Sequence, residues 1–581
     1  MGMTRRTWLR FTATGAVMAA VGRLSDSAAA RERAAVRSPR EGPEIRHPAI
    51  DGLFARYQRS DAPGLVLGVA QHGQIIHLAG YGAANLDSPG SITGQTVFHA
   101  ASLAKQFTAF AIGLLERDGL LGFDDDVRRY LPDVPDFGAQ ITLRHLLHHT
   151  SGLRDQWPML VLSGHDRRDV LSQARIRKLV AAQRALNFTP GTAYEYCNTG
   201  YTLLADVVAR VSGQSFPAFT EERIFRPLEM NQTFFRDDVG RIVPNSAASY
   251  HQRDNGSGWR HVPLNYETVG ATGLCTTADD MLRWAANFNE PAVGSGELIR
   301  RMGRPGHLRD SRRINSGQGL YRHRFAGHEA LYHRGRDAGF VAAFAWVPRT
   351  SLGVVLLANT PLDQDELIEA VTLYCCGQAA GGDAPEPLQA RPSARQLSAL
   401  TGQDLADDGH MLSLRRGADG LRLSDRVGDE EAVTLRHDGS FDTGGRREGY
   451  YRPRRDASGQ LTAIEEVRPD PVASPSTSYR KVARNRPTVD ALRELEGLYH
   501  SAELDCTYRL SAVNGALLMD CRWLPEPVRF EPTVEDSFQA GHRVLATMQI
   551  RRDEVGEVRG LLLHGHRYLN LQLDRVTGSV C

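Results

Sequence analysis

Two stretches near the end of this 581-residue chain repeat each other, and that duplication restricts its architecture more than any other feature. Leu400-Thr401-Gly402 matches Leu495-Glu496-Gly497, an offset of 95 (402 to 497). Phe441 matches Phe538, and Arg454-Arg455-Asp456 through Gly459 matches Arg551-Arg552-Asp553 through Gly556, both at an offset of 97 (441 to 538). A period this long means two copies of a whole domain, because a solenoid repeats every few dozen residues. Each copy is dense in short β-rich runs, with turn residues about every 8–12 positions, so each is expected to form a small antiparallel β-barrel. The copies occupy 397–483 and 484–581, behind a Gly-, Ala- and Pro-rich linker at 378–396.

Upstream, residues 49–377 carry a different pattern. Two β-rich runs flank His72-Gly73, a hairpin signal, and a second pair, Phe340–Val347 and Leu352–Ala358, flanks Pro348-Arg349-Thr350-Ser351. Helical stretches lie between them: Ser102–Leu115, Ile141–His148, and Tyr201–Val211 after an Asn198-Thr199-Gly200 turn. The economical arrangement is an α/β domain, an antiparallel sheet built from both ends of the segment and flanked by helices, closed by a helix over Asp365–Cys376.

Residues 1–30 read as a twin-arginine export signal, with Arg5-Arg6, a short apolar stretch Phe11–Val21 and small residues Ala28-Ala29-Ala30, followed by a tether over 31–48. A periplasmic or secreted protein is therefore expected. With 69 basic and 68 acidic residues there is no electrostatic drive toward nucleic acid or an anionic membrane. No later run is long and apolar enough to predict a membrane span. Seven cysteines in so long a chain do not make a disulfide scaffold. The separation of Cys506 and Cys521 suits either a disulfide across adjacent strands or two thiols.

Chemistry concentrates in three places. In Ser102-Leu103-Ala104-Lys105, helical spacing puts hydroxyl and amine on one face, near a helix N-terminus that favours developing negative charge. A buried, desolvated lysine is a base able to activate a serine. Leu103, Phe107, Phe110 and Leu114 would bury the opposite stripe. In Tyr196-Cys197-Asn198, a phenol near a lysine cation loses its proton more easily and shuttles it, while the amide orients lysine and substrate. His333-Arg334-Gly335-Arg336 leads into the later hairpin, where a strand edge offers backbone N–H groups to substrate.

Ser-x-x-Lys, Tyr-x-Asn and His-x-Gly in this order resemble the penicillin-recognising serine hydrolase family, which includes class C β-lactamases, D-alanyl-D-alanine carboxypeptidases and D-aminopeptidases. His148-His149-Thr150-Ser151-Gly152-Leu153 and Thr272-Gly273-Leu274-Cys275-Thr276-Thr277 are similar to segments of that family. The resemblance implies Ser102 as acylated nucleophile, Lys105 as its base, Tyr196 as proton shuttle and Asn198 as substrate-positioning residue. It places the oxyanion hole at the N–H groups of Ser102 and Arg336. His333 stands where many relatives carry lysine, and a partly charged histidine weakens the case for substrates held by a carboxylate. The His-x-Gly form followed by two barrels resembles the D-stereospecific aminopeptidases, in which a loop of the last barrel reaches the site and restricts the substrate's amino end. A small peptide or amide with a D-residue at its amino end is the expected substrate, with no cofactor and no metal. A carboxylic ester hydrolase, a class C β-lactamase-like enzyme and a non-catalytic sensor or scaffold are the alternatives.

Plainer readings suit the remaining features. His145, His148 and His149 fit a turn better than a metal site, the arginines between 300 and 313 fit a solvated loop, and Cys197 fits core packing.

Overall fold

The computed structural model describes residues 44–377 except 89 and 167, and 398–576 except 399, 407–410, 418–419, 427–428, 437, 444–449, 468–476, 483–484 and 543. The export-signal, tether and linker expectations fall outside these residues, apart from 44–48.

A six-stranded antiparallel sheet runs in the order Tyr321–Phe325, His328–Asp337, Phe340–Val347, Leu352–Ala358, Leu65–Gln71, Gln74–Tyr81. It is built from both ends of the segment, as the two hairpin signals require. His72 (φ 50°) and Gly73 (φ 78°) turn the first hairpin in left-handed conformation. Side chains alternate between two cores. Phe340, Ala342, Phe344 and Trp346 face one core, while Val341, Ala343, Ala345 and Val347 face the other. The second core is covered by the helix Gln364–Cys376 through Leu367, Ile368 and Val371.

The helix Ala104–Arg117 is buried from Ala104 to Leu115, so its apolar side chains are not confined to one stripe. Trp284 packs against Phe107 and Phe110, with ring centroids 4.7 and 5.1 Å away, and its indole N–H donates to Gln106. The helix expected to start at Tyr201 spans Asn198–Ser212, so the anticipated Asn198-Thr199-Gly200 turn is its first turn. No side chain at Cys197 caps it; instead the Asp155 carboxylate, 43 residues upstream, accepts the Asn198 N–H at 2.7 Å.

Both tail copies are antiparallel sheets. Residues 402–482 form nine strands whose two edges, Asp429–Ala432 and Thr434–Leu435, are sequence neighbours, leaving the sheet nearly closed. Residues 497–575 close into an eight-stranded barrel through Tyr499–Arg575 pairing. The duplication extends to backbone detail. The turns Asp456–Gln460 and Asp553–Glu557 share the same hydrogen bond, and Gly459 (φ 85°) and Gly556 (φ 87°) share the same left-handed conformation.

The closed barrel packs on the α/β domain. Tyr508 donates to Leu162 O at 2.6 Å, and Trp523 lies against Gly164, where a Cβ would approach the indole to 2.6 Å. Arg154, fully buried, pairs with Glu503 and donates to the carbonyls of Leu569 and Asn570. Cys506 and Cys521 are free buried thiols, and Cys506 Sγ turns to Leu162 O. Arg300 and Arg301 lie on the helix Gly296–Met302, paired with Glu297 and Glu116, which leaves only part of the basic run as the expected loop. Among the described residues no helix is long and apolar enough to cross a membrane.

Candidate active site

Ser102 sits in a single 3₁₀ turn, Ala101–Leu103, that runs directly into the helix beginning at Ala104. Ala101 adopts φ 48°, a conformation that costs a β-carbon-bearing residue about 1–2 kcal/mol and bends the chain just ahead of the serine. Gly335 lies against this bend. A Cβ there would sit 2.6 Å from Ala100 O and 3.1 Å from Ser102 N. The absence of a side chain at Gly335 is thus what lets the His333 strand approach the serine.

Ser102 Oγ receives hydrogen bonds from Lys105 Nζ at 3.1 Å and from the Tyr196 hydroxyl at 2.9 Å. Lys105 also donates to Asn198 Oδ1 at 2.9 Å and Ala271 O at 2.7 Å. The amine is fully buried, and burial lowers its pKa to about 7, with Asp155 opposing and the Arg567 cation assisting. Tyr196 behaves otherwise than the sequence suggested. Burial, reinforced by Tyr321, raises its pKa well above the ordinary value, so the resting phenol keeps its proton and donates it.

His333 is buried beside Tyr321 and Tyr196, with ring centroids 5.1 and 6.5 Å away. Burial and the neighbouring Lys105 lower its pKa to about 3, so the ring is neutral. Its Nδ1 lies 2.8 Å from Arg334 O, an acceptor, which assigns the proton to Nδ1 and a lone pair to Nε2. Among the described residues that Nε2 has no hydrogen-bond partner. The side chain of Arg336 turns away, donating to Leu362 O and Gln364 Oε1, so only its backbone faces Ser102.

Sequence reasoning missed three contributors. Asp155 accepts both the backbone and the side-chain N–H of Asn198, at 2.7 and 2.8 Å, and so aims the amide oxygen at Lys105. Its only trace in the sequence is an acidic residue at a helix start, where it caps Gln156–Leu162. Arg567 arrives from the closed barrel, in the turn between Val558–Gly565 and Tyr568–Arg575. Its guanidinium lies 4.6 Å from the Tyr196 ring centre, and its carbonyl accepts from Asp155 N. The loop of the last barrel that reaches the site is therefore this turn. Finally, Asp337 ends the His333 strand and pairs with His99 at 3.1 Å.

The three histidines 145, 148 and 149 do not converge. His145 closes a capping box with Thr142, His148 meets Ser316 O, and His149 accepts from Cys197 N while its ring lies tilted, 4.5 Å from that of Tyr196. Among the described residues no cluster of His, Cys, Asp or Glu is placed to hold a metal ion. Cys197 is buried, its thiol directed at Leu153 O.

A family model described as Beta-lactamase matches residues 50–374. The D-aminopeptidase of Gluconobacter oxydans (strain 621H) is 29% identical over 312 residues, 54% of this chain and 58% of that protein. The D-aminopeptidase of Cereibacter sphaeroides (strain KD131 / KCTC 12085) is 27% identical over 479 residues, 80% of this chain and 84% of that protein. In fold, the chain is similar to the octameric penicillin-binding protein homologue from Pyrococcus abyssi (TM-score 0.51, 19% identity, 81% of this chain and 97% of that one). It is also similar to SurE (TM-score 0.52, 23% identity, 75% and 98%). With more than half its length matched by the family model, the chain belongs to the beta-lactamase family of penicillin-recognising serine hydrolases, close to the D-aminopeptidases.

Proposed function

We propose that this serine hydrolase is exported and cleaves short peptides or amides bearing a D-residue at the amino end, through an acyl-enzyme on Ser102. The observation that carries the reading is the pair of hydrogen bonds that Ser102 Oγ receives from Lys105 Nζ and from the Tyr196 hydroxyl, with the amine poised near neutrality. Lys105, as the free amine, takes the Ser102 proton while Oγ attacks the carbonyl carbon. The oxyanion forms at the N–H groups of Ser102 and Arg336. Tyr196 then hands its proton to the leaving nitrogen and is reloaded from the Lys105 ammonium, so one proton passes from serine to leaving group. Water repeats the sequence on the ester and releases the acid, returning the proton to Ser102.

Two features support an amine leaving group over a carboxylate-bearing one. The neutral His333 presents a lone pair, which accepts from an amide N–H and repels a carboxylate. The D-aminopeptidase relatives support the same substrate class. Export rests on the twin-arginine pattern at Arg5-Arg6.

The test is turnover by the purified mature protein of D-alanine p-nitroanilide, its L-enantiomer, a p-nitrophenyl ester and a chromogenic cephalosporin. Preference for the D-anilide is expected. Ester or cephalosporin hydrolysis alone would replace the substrate class, and a wild type no faster than Ser102→Ala on all four would leave a non-catalytic binder.

A further inference from the structure

The strand His328–Asp337 pairs with Tyr321–Phe325 only from His328 to Tyr332, so residues 333–337 form an open edge on that side. Strand alternation puts His333, Gly335 and Asp337 on one face, and Gly335 is the residue packed against Ala100–Ser102. Ser102 thus stands between two different ends. At one end are His333, Tyr321, Tyr196 and the Arg567 guanidinium over the Tyr196 ring. At the other is Asp337, whose carboxylate accepts from Thr272 Oγ1 at 3.1 Å and pairs with His99 Nε2 at 3.1 Å.

Asp337 is held but not sealed, since 22% of its side chain remains exposed against 8% for His99. It directly follows Arg336, whose N–H is assigned to the oxyanion hole. Residue 337 is the next side chain after Gly335 on the face of the strand that packs against Ala100–Ser102. His99 and Tyr266 also line a cavity of about 220 Å³, with Val97, Leu264 and Phe340 among its apolar walls and Arg236 and His261 among its polar ones.

We infer that Asp337 receives the α-ammonium group of the substrate's amino-terminal residue, while the Arg567–His333 end takes the leaving group. The strand edge is asymmetric, with the Asp337 carboxylate and its His99 partner at one end and the Arg567 guanidinium at the other. A substrate with a free amine is oriented by both ends: hydrogen bonding to Asp337 and repulsion from Arg567 favour the same direction. This assignment rests on the aminopeptidase reading above and adds the group that recognises the amine.

The experiment compares two anilides that differ only in the amine, D-alanine p-nitroanilide and propionyl p-nitroanilide, on wild type and Asp337→Asn. Wild type should favour the amine-bearing anilide in kcat/KM, and D337N should shrink that preference at least 30-fold, mostly through KM. Circular dichroism and labelling of Ser102 by a fluorophosphonate report whether the variant is folded. If it is not, competitive inhibition of wild type by D-alaninamide and by propionamide serves instead. More than tenfold tighter inhibition by the amine supports the inference, and equal inhibition overturns it. A folded D337N that keeps the full preference overturns this assignment alone. A wild type that turns over neither anilide overturns the aminopeptidase reading together with it.

Discussion

Lys105 Nζ lies 3.1 Å from Ser102 Oγ, and its acceptors among the described residues, Ser102 Oγ, Asn198 Oδ1 and Ala271 O, are all uncharged. A fully buried ammonium with no carboxylate in its first contacts is poorly stabilised, which is why burial brings its pKa to about 7. The free amine is the working base, so kcat/KM should be low in acid and rise with pH through about 7. Lys105→Met should lose about 10²–10⁴-fold. Lys105→Arg, charged at all these pH values, should be equally inactive. Stopped-flow or steady-state pH profiles check both.

Arg567 belongs to the closed barrel, yet its charge helps hold the Lys105 pKa down. Replacing it by alanine removes a cation that disfavours the lysine ammonium. The Lys105 pKa then rises, and the ascending limb of the pH profile should move to higher pH. Arg567→Lys should move it less. A limb that stays in place in Arg567→Ala would mean that the barrel does not tune the base.

Glu503 is the carboxylate opposite the buried Arg154, next to Asp155 and its grip on Asn198. Glu503→Gln leaves a buried guanidinium without its counter-charge, at a cost of about 3–5 kcal/mol. A clear fall in the thermal unfolding midpoint is expected, accompanied by loss of hydrolysis as Asp155 loses its position. Scanning calorimetry and anilide turnover on the full chain read the two effects.

Burial alone would lower the pKa of His99, but hydrogen bonds to Asp337 and Cys275 outweigh it and raise the value to about 9. A histidine whose folded pKa lies above its ordinary value stabilises the protein fully below about pH 6.5 and loses that contribution as pH rises through the folded value. The difference in unfolding midpoint between wild type and His99→Gln should therefore be largest near about pH 6 and vanish toward about pH 10. A difference independent of pH would show that the pair is not ionised.

The serine–lysine pair was legible because i, i+3 spacing on a helix fixes which side chains meet whatever surrounds them. The sheet was legible because His72-Gly73 and the later hairpin mark both of its halves, and the tail because its two copies share turns as specific as Asp456–Gly459 and Asp553–Gly556. What could not be read comes from contacts distant in sequence. Asp155 starts a helix 43 residues away and aims Asn198 at Lys105. Arg567 crosses from another domain to the Tyr196 ring. The protonated state of Tyr196 follows from the depth of its burial, which Tyr-x-Asn spacing does not encode.

The proposed mechanism requires a covalent bond at one oxygen. Wild-type protein mixed with a p-nitrophenyl ester, quenched in acid within the first turnover and digested, should yield a peptide acylated at Ser102. Lys105→Met should accumulate far less of it. Burst release of nitrophenol with no acyl group at Ser102, or acylation at another residue, would contradict the mechanism.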